Sequence, residues 1–176
     1  MFGENPIVGQ TMLKIDKTDR ITLPSFTGAE EGEEICSMID PHFERLILIR
    51  EKEMIEKLEY YLNRARTAYE LKLITGEQFR WMQRYFYAIL PQAPKNLNKK
   101  LQFLLYSKRK ENCYDVKELR RLNFRPDQVF SVGVGHTLEI YKDEESYQYS
   151  LKMDAERKRK RDEFDKKVAS IRQGNV

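Results

Sequence analysis

The chain of 176 residues holds two cysteines, two histidines and one tryptophan. Cys36 and Cys113 form no CxxC pair and no metal-ligand spacing, which excludes a disulfide-stapled scaffold or a zinc ribbon. They are expected as buried free thiols in a reducing compartment. No apolar run approaches the roughly 20 residues that cross a bilayer, so no membrane partner is expected. The start, MFGENPIVGQ, has no charged region followed by an apolar one, and no secretory signal is read there. No G-x-S-x-G, H-E-x-x-H or phosphate loop occurs. His42 has only Asp40 and Glu44 near it, and His136 has no companion at ligand spacing. Both are read as turn residues. No catalytic residue, metal, cofactor or small-molecule substrate is expected, and the chain is read as a non-enzyme.

What is present is charge, unevenly placed. Residues 1–49 carry four basic and nine acidic side chains, whereas residues 95–125 carry ten and three, net +7. Residues 150–176 add nine basic against five acidic. A clustered basic patch attracts a polyanion more than a small net charge does.

Apolar patterning divides the chain. Thr11–Ile15 and Ile21–Leu23 read as short strands around the polar turn Asp16–Arg20, and Pro24 closes the second. Ser25–Glu34 is an acidic loop, expected to lie away from the turns. Ile35–Ile39 and Leu46–Ile49 are two further strands joined through His42. From Glu51 to Leu73, apolar residues at steps of three and four predict a helix. Thr75 and Gln78 form a capping box flanked by Ile74 and Phe79, opening a second helix that stops before Pro91. Pro91–Pro94 is a linker. Leu101–Tyr106, Cys113–Val116, Gln128–Val132 and Thr137–Tyr141 read as strands, with a polar turn at Ser107–Asn112 and a helical turn at Lys117–Leu122. Gly133–His136 joins the last two strands. Residues 143–173 read as helix, the first part docked and the rest, from the run Arg157–Arg161, projecting or frayed.

The two halves repeat one order. Ile35–Met38 aligns with Val129–Val132, His42 with His136, and Leu46–Ile49 with Leu138–Tyr141 after a two-residue gap. Neither half has strands enough to close a core, so the halves are expected to bury each other's apolar faces about a pseudo-twofold.

At these residues a family resemblance appears. MLKIDKTDRITLP resembles the first repeat of MraZ proteins, of the SpoVT/AbrB-like group, whose D-x-x-x-R turn is matched by Asp16 and Arg20. ICSMIDPHFERLILIREKEMIEKLEYYL continues that repeat, and ELRRLNFRPDQVFSVGVGHTLEIYKDEESYQ looks like the second. Asp19 stands where the family has glycine. SKRKE, with Ser107 and Glu111, is read as the second turn, and the insert Glu51–Leu90 is longer than usual.

The resemblance implies an α+β fold: a two-repeat swapped-hairpin (AbrB-like) β-barrel with a helical hairpin insert and a C-terminal helix. The expected segments are repeat 1 at 1–50, hairpin and linker at 51–94, repeat 2 at 95–142 and a charged helix or tail at 143–176, one compact domain together. The implied function is sequence-specific, double-stranded-DNA-binding transcriptional regulation of a division and cell-wall gene cluster. The implied setting is a ring-shaped homo-oligomer, cytoplasmic and nucleoid-associated in a bacterium. Candidate DNA-binding residues are Lys14, Lys17, Thr18 and Arg20 in repeat 1 and Lys108, Arg109 and Lys110 in repeat 2, with Asp16 holding its turn through an ion pair to Arg20. Solvated charged turns are the plain alternative. Lys117–Arg125 either extends the basic surface or lines a subunit interface. Arg157–Arg161 either wraps nucleic acid or is a solvated helix face with pairs such as Glu156–Lys160. The alternative function is an oligomeric scaffold that has lost specific DNA binding.

Overall fold

The computed structural model describes residues 1–40, 44–88, 95–105 and 122–174. His42, Cys113, the linker 91–94, the turn 107–111 and the helical turn at 117–121 lie outside them. The chain divides into two units, Met1–Ile55 with Ile89–Tyr147, and Glu56–Ala88 with Gln148–Val176.

The first unit is built on strands. In chain order they are β1 (Ile7–Lys14), β2 (Arg20–Thr22), β3 (Glu34–Asp40), β4 (Arg45–Ile49), β5 (Lys95–Asn96), β6 (Gln102–Leu104), β7 (Gln128–Gly135) and β8 (Thr137–Tyr141). Six form one sheet in the order β1-β7-β8-β4-β3-β5, and β2 and β6 form a separate ribbon. All pairs are antiparallel. The class is α+β, as expected, but among the described residues the sheet is open and the strands do not close into the expected barrel. β1 starts four residues earlier than its pattern indicates, because it pairs with β7 along its whole length, from Ile7↔Gly135 to Lys14↔Gln128. There Gly133 gives β1 room: a Cβ on it would lie 2.4 Å from Ile7 Cγ2.

The repeat is visible in the register. At the sheet centre Leu46 stands opposite Ile140, Ile47 opposite Glu139 and Leu48 opposite Leu138. A local twofold through the Ile47–Glu139 pair exchanges Leu46 with Leu138 and Leu48 with Ile140. The same operation carries the hairpin pair Cys36↔Ile49 onto Phe130↔Tyr141. The two-residue gap sits in the hairpin turns. β3 and β4 close at Asp40↔Arg45, whereas β7 and β8 close at Val134↔Thr137 around Gly135 and His136. Gly133, Val134 and Gly135, expected in this turn, are the end of β7. The first strand of each half pairs with the other half: β1 with β7, and β5 with β3.

One sheet face supplies Ile35, Ile39, Leu46, Leu48, Val129, Leu138 and Ile140 to a core that also contains Ile21, Leu23, Phe103 and Leu105 from the ribbon and its flank. Each such burial contributes about 1.5–3 kcal/mol. The opposite face carries Phe130, Val132 and Tyr141, with Tyr147 packed on them at 5.8 Å from Phe130 and 5.4 Å from Tyr141, centroid to centroid.

That face also buries charge. Arg45 Nη1 donates to Glu139 Oε2 at 2.8 Å and Tyr141 Oη at 3.0 Å, and Nη2 reaches Asp40 Oδ2 at 3.2 Å. Tyr141 donates to Glu139 at 2.5 Å. Burial works against the guanidinium charge, but Glu139, Tyr141 and Asp40 outweigh it and hold its pKa above the ordinary value.

The second unit is helical: most of α1 (Glu51–Glu70), all of α2 (Gly76–Ala88) and most of α3 (Glu144–Arg172). α1 buries Ala65 and Ala68. The capping box forms as its sequence requires, with Gln78 N donating to Thr75 Oγ1 at 3.2 Å and Thr75 N to Gln78 Oε1 at 2.8 Å. Phe79 stacks on Tyr69 at 5.1 Å. α3 does not fray after the basic run. It stays helical to Arg172, where Arg64 bonds Asp165 at 2.7 Å and lies 5.4 Å from the Phe164 ring centroid. Lys160 pairs with Glu156 at 3.1 Å on its solvated face.

Candidate nucleic-acid interface

The basic turns are organised by side chains that imitate backbone. Asp16 Oδ1 accepts from Thr18 N at 2.7 Å, Thr18 Oγ1 at 2.7 Å and Arg20 N at 3.1 Å. An aspartate that folds its own chain back in this way makes an Asx-turn. Asp16 therefore holds Arg20 by its backbone amide rather than through the guanidinium pairing expected from sequence. The Thr18 hydroxyl, followed by the Arg20 and Thr18 amides and the Arg20 charge, keeps the Asp16 carboxyl below its ordinary range. Asp19, with φ 59°, takes the left-handed position, which aspartate tolerates better than most residues.

The second copy of this turn is Asn98–Gln102. Asn98 Oδ1 accepts from Lys100 N and Gln102 N, each at 3.0 Å. Leu101 has φ 53°, matching Asp19. Asp19 N bonds Asp16 O at 3.0 Å, as Leu101 N bonds Asn98 O at 2.8 Å. Leu105 N bonds Asp19 O and Leu23 N bonds Leu101 O, both at 2.9 Å. The ribbon register completes the equivalence, with Ile21 opposite Phe103, Arg20 opposite Leu104 and Thr22 opposite Gln102.

The turn read at SKRKE, with Lys108, Arg109 and Lys110, lies outside the described residues; among the described residues the turn equivalent to Asp16–Arg20 is Asn98–Gln102. The residues in the slots of Lys17 and Thr18 are Lys99 and Lys100, which sequence reasoning missed. A signal was there: Ile15-Asp16-Lys17 and Leu97-Asn98-Lys99 share an apolar residue, an Asx and a lysine. The ribbon brings the two turns together, and Gln102 Nε2 donates to Asp16 Oδ2 at 3.1 Å.

Lys14, Lys17, Thr18, Lys99 and Lys100 are exposed, and Arg20 is half-buried. Acid is also near. Gly32 N donates to Leu97 O at 2.9 Å and Leu97 N to Glu33 O at 3.0 Å, so the acidic loop runs beside the second turn rather than away from it. The Glu33 carboxylate is occupied there, accepting from Phe2 N at 2.8 Å and Glu30 N at 3.1 Å. The tips of the turns thus carry lysine, and the acids Asp16 and Glu33 are spent on backbone amides.

Among the described residues no three His, Cys, Asp or Glu side chains gather as metal ligands, and no helix is long and apolar enough to cross a membrane. His136 Nδ1 lies 2.7 Å from Gly3 O, a structural contact. No family model matches the chain. No curated protein matches it either.

Proposed function

We propose that this chain is a double-stranded-DNA-binding transcriptional regulator of the MraZ type, acting at a division and cell-wall gene cluster. The observation that carries the reading is the pair of Asx-turns, Asp16–Arg20 and Asn98–Gln102, tied side by side with Lys17, Thr18, Lys99 and Lys100 exposed. Lysines at fixed spacing neutralise phosphates and release counterions, and a hydroxyl adds a phosphate hydrogen bond. The crossed pairing of β1 with β7 and β5 with β3 favours an AbrB-like swapped-hairpin relationship. A ring-shaped homo-oligomer, associated with the nucleoid in the bacterial cytoplasm, would present several such turn pairs at once and multiply weak contacts. Among the described residues the DNA-contacting set is Lys14, Lys17, Thr18, Arg20, Lys99 and Lys100.

Fluorescence anisotropy on a labelled duplex from upstream of the chain's own gene, against scrambled DNA, tests it. A preference of at least about 10³-fold is the low end for specific recognition. Equal and steeply salt-sensitive binding would leave only a non-specific basic surface. Absence of binding would favour the oligomeric scaffold, for which exposed Tyr60, Tyr69, Tyr149 and Leu151 supply apolar contact surface.

A further inference from the structure

The two turns differ in one respect that their shared backbone does not require. The first is organised by an acid and ends in arginine; the second is organised by an amide and ends in glutamine. Asn98 has a fixed orientation, because its Oδ1 holds two backbone amides. Its Nδ2 must therefore point outward, and it donates to Gln102 Oε1 at 3.0 Å. That leaves Gln102 Nε2 to donate to Asp16 Oδ2, the carboxylate oxygen the first turn leaves free of its own amides. One continuous chain runs from the Lys100 and Gln102 amides through Asn98, Gln102 and Asp16 to the Thr18 and Arg20 amides. Only a side chain with an acceptor and a donor on one planar end can close it. Arginine has no acceptor for Asn98, and glutamate no donor for Asp16.

We propose that Gln102 is a positioning residue that locks the two turns into one unit, so that Lys17 and Thr18 engage a polyanion together with Lys99 and Lys100. The phosphate-binding half of this rests on the DNA reading above; the locking does not. The lock acts through hydrogen bonds in the free protein, and its effect on binding is cooperativity between turns.

The test compares wild type with Gln102→Met, which keeps the length and removes both bonds, and with Gln102→Glu, which sets a carboxylate against Asp16. In the free protein, amide hydrogen exchange at Thr18 and Arg20 is expected to accelerate in both variants, although the substitution lies in the other turn. The β1–β7 ladder should keep its protection, which shows the fold is intact. On labelled duplex, Gln102→Met is expected to lose about tenfold in affinity, the size of one hydrogen bond to a charged group. In wild type, Lys17→Ala and Lys99→Ala together should cost less than the product of their separate losses, with a coupling of about threefold or more. In the Gln102→Met background the two losses should simply multiply. Asn98→Asp with Gln102→Arg, which copies the first turn's pair into the second, should recover the coupling; Gln102→Arg alone should not. Unchanged exchange at Thr18 and Arg20, or equal coupling with and without Gln102, overturns the proposal. If wild type binds no duplex, the DNA reading falls and the exchange comparison alone decides the lock.

Discussion

Asp16 shows how much one side chain decides here. Its Oδ1 gathers three donors inside a five-residue turn, and the Thr18 hydroxyl is the largest influence holding its carboxyl below the ordinary range. The sign follows directly. A depressed carboxyl pKa stabilises the fold above the unfolded value, and that contribution is lost as pH falls through the lower folded value. Thr18→Val should move the Asp16 carboxyl back up toward its ordinary range, read by carbon-detected NMR titration. The turn should then loosen at a higher pH than in wild type. An unmoved Asp16 would contradict the assigned cause. Asp16 and its turn were legible because an Asx followed by polar residues between two apolar runs is a local signal. The equivalent turn was not. Ser107–Asn112 has the denser charge and lies outside the described residues, whereas Asn98-Lys99-Lys100-Leu101-Gln102 hides an apolar residue at the left-handed position. Leucine at φ 53° is not something propensity suggests.

At the scale of elements, the hairpins β3–β4 and β7–β8 were readable because both faces of each are buried and leave long apolar runs. The capping box was readable because both of its bonds are local. β1 was half-read: Gly9 and Gln10 break its alternation, and its length comes from pairing with β7, which no local pattern carries. The helix over residues 143–173 was readable, but the packing of its part beyond the basic run was not, since Asp165 finds Arg64 from 101 positions away in sequence. The buried cluster on the sheet has no local sequence signature either. Glu139 occupies the place that Ile47 holds in the other half, and Arg45 the place of Thr137, so the repeat alignment alone marks Glu139 as a hydrophobic position. Removing Glu139 takes away one of the two carboxylates on the buried guanidinium, the other being Asp40. Glu139→Leu alone should cost about 3 kcal/mol, the low end for breaking a buried pair, and Arg45→Met with Glu139→Leu should recover part of that loss. Chemical denaturation of the three variants checks this. A double variant no more stable than the single would mean that the cluster is not acting as a charge pair.

At the scale of the whole molecule, an internal twofold brings two short turns together, so that their exposed lysines share a surface neither half has alone. The central sheet pairs at Ile47–Glu139 and the ribbon pairs at Ile21–Phe103, so both turns are set by the same two halves that build the core. The most direct measurement is the salt dependence of duplex binding by the wild type and by Lys17→Ala/Lys99→Ala/Lys100→Ala, with circular dichroism to verify the fold. The prediction is a steep wild-type dependence of log affinity on log salt. The triple variant should lower that slope by about three, close to one per lost phosphate contact, and weaken binding to all sequences alike. An unchanged slope and affinity in the folded triple variant would remove the twin turns from the function and contradict the account.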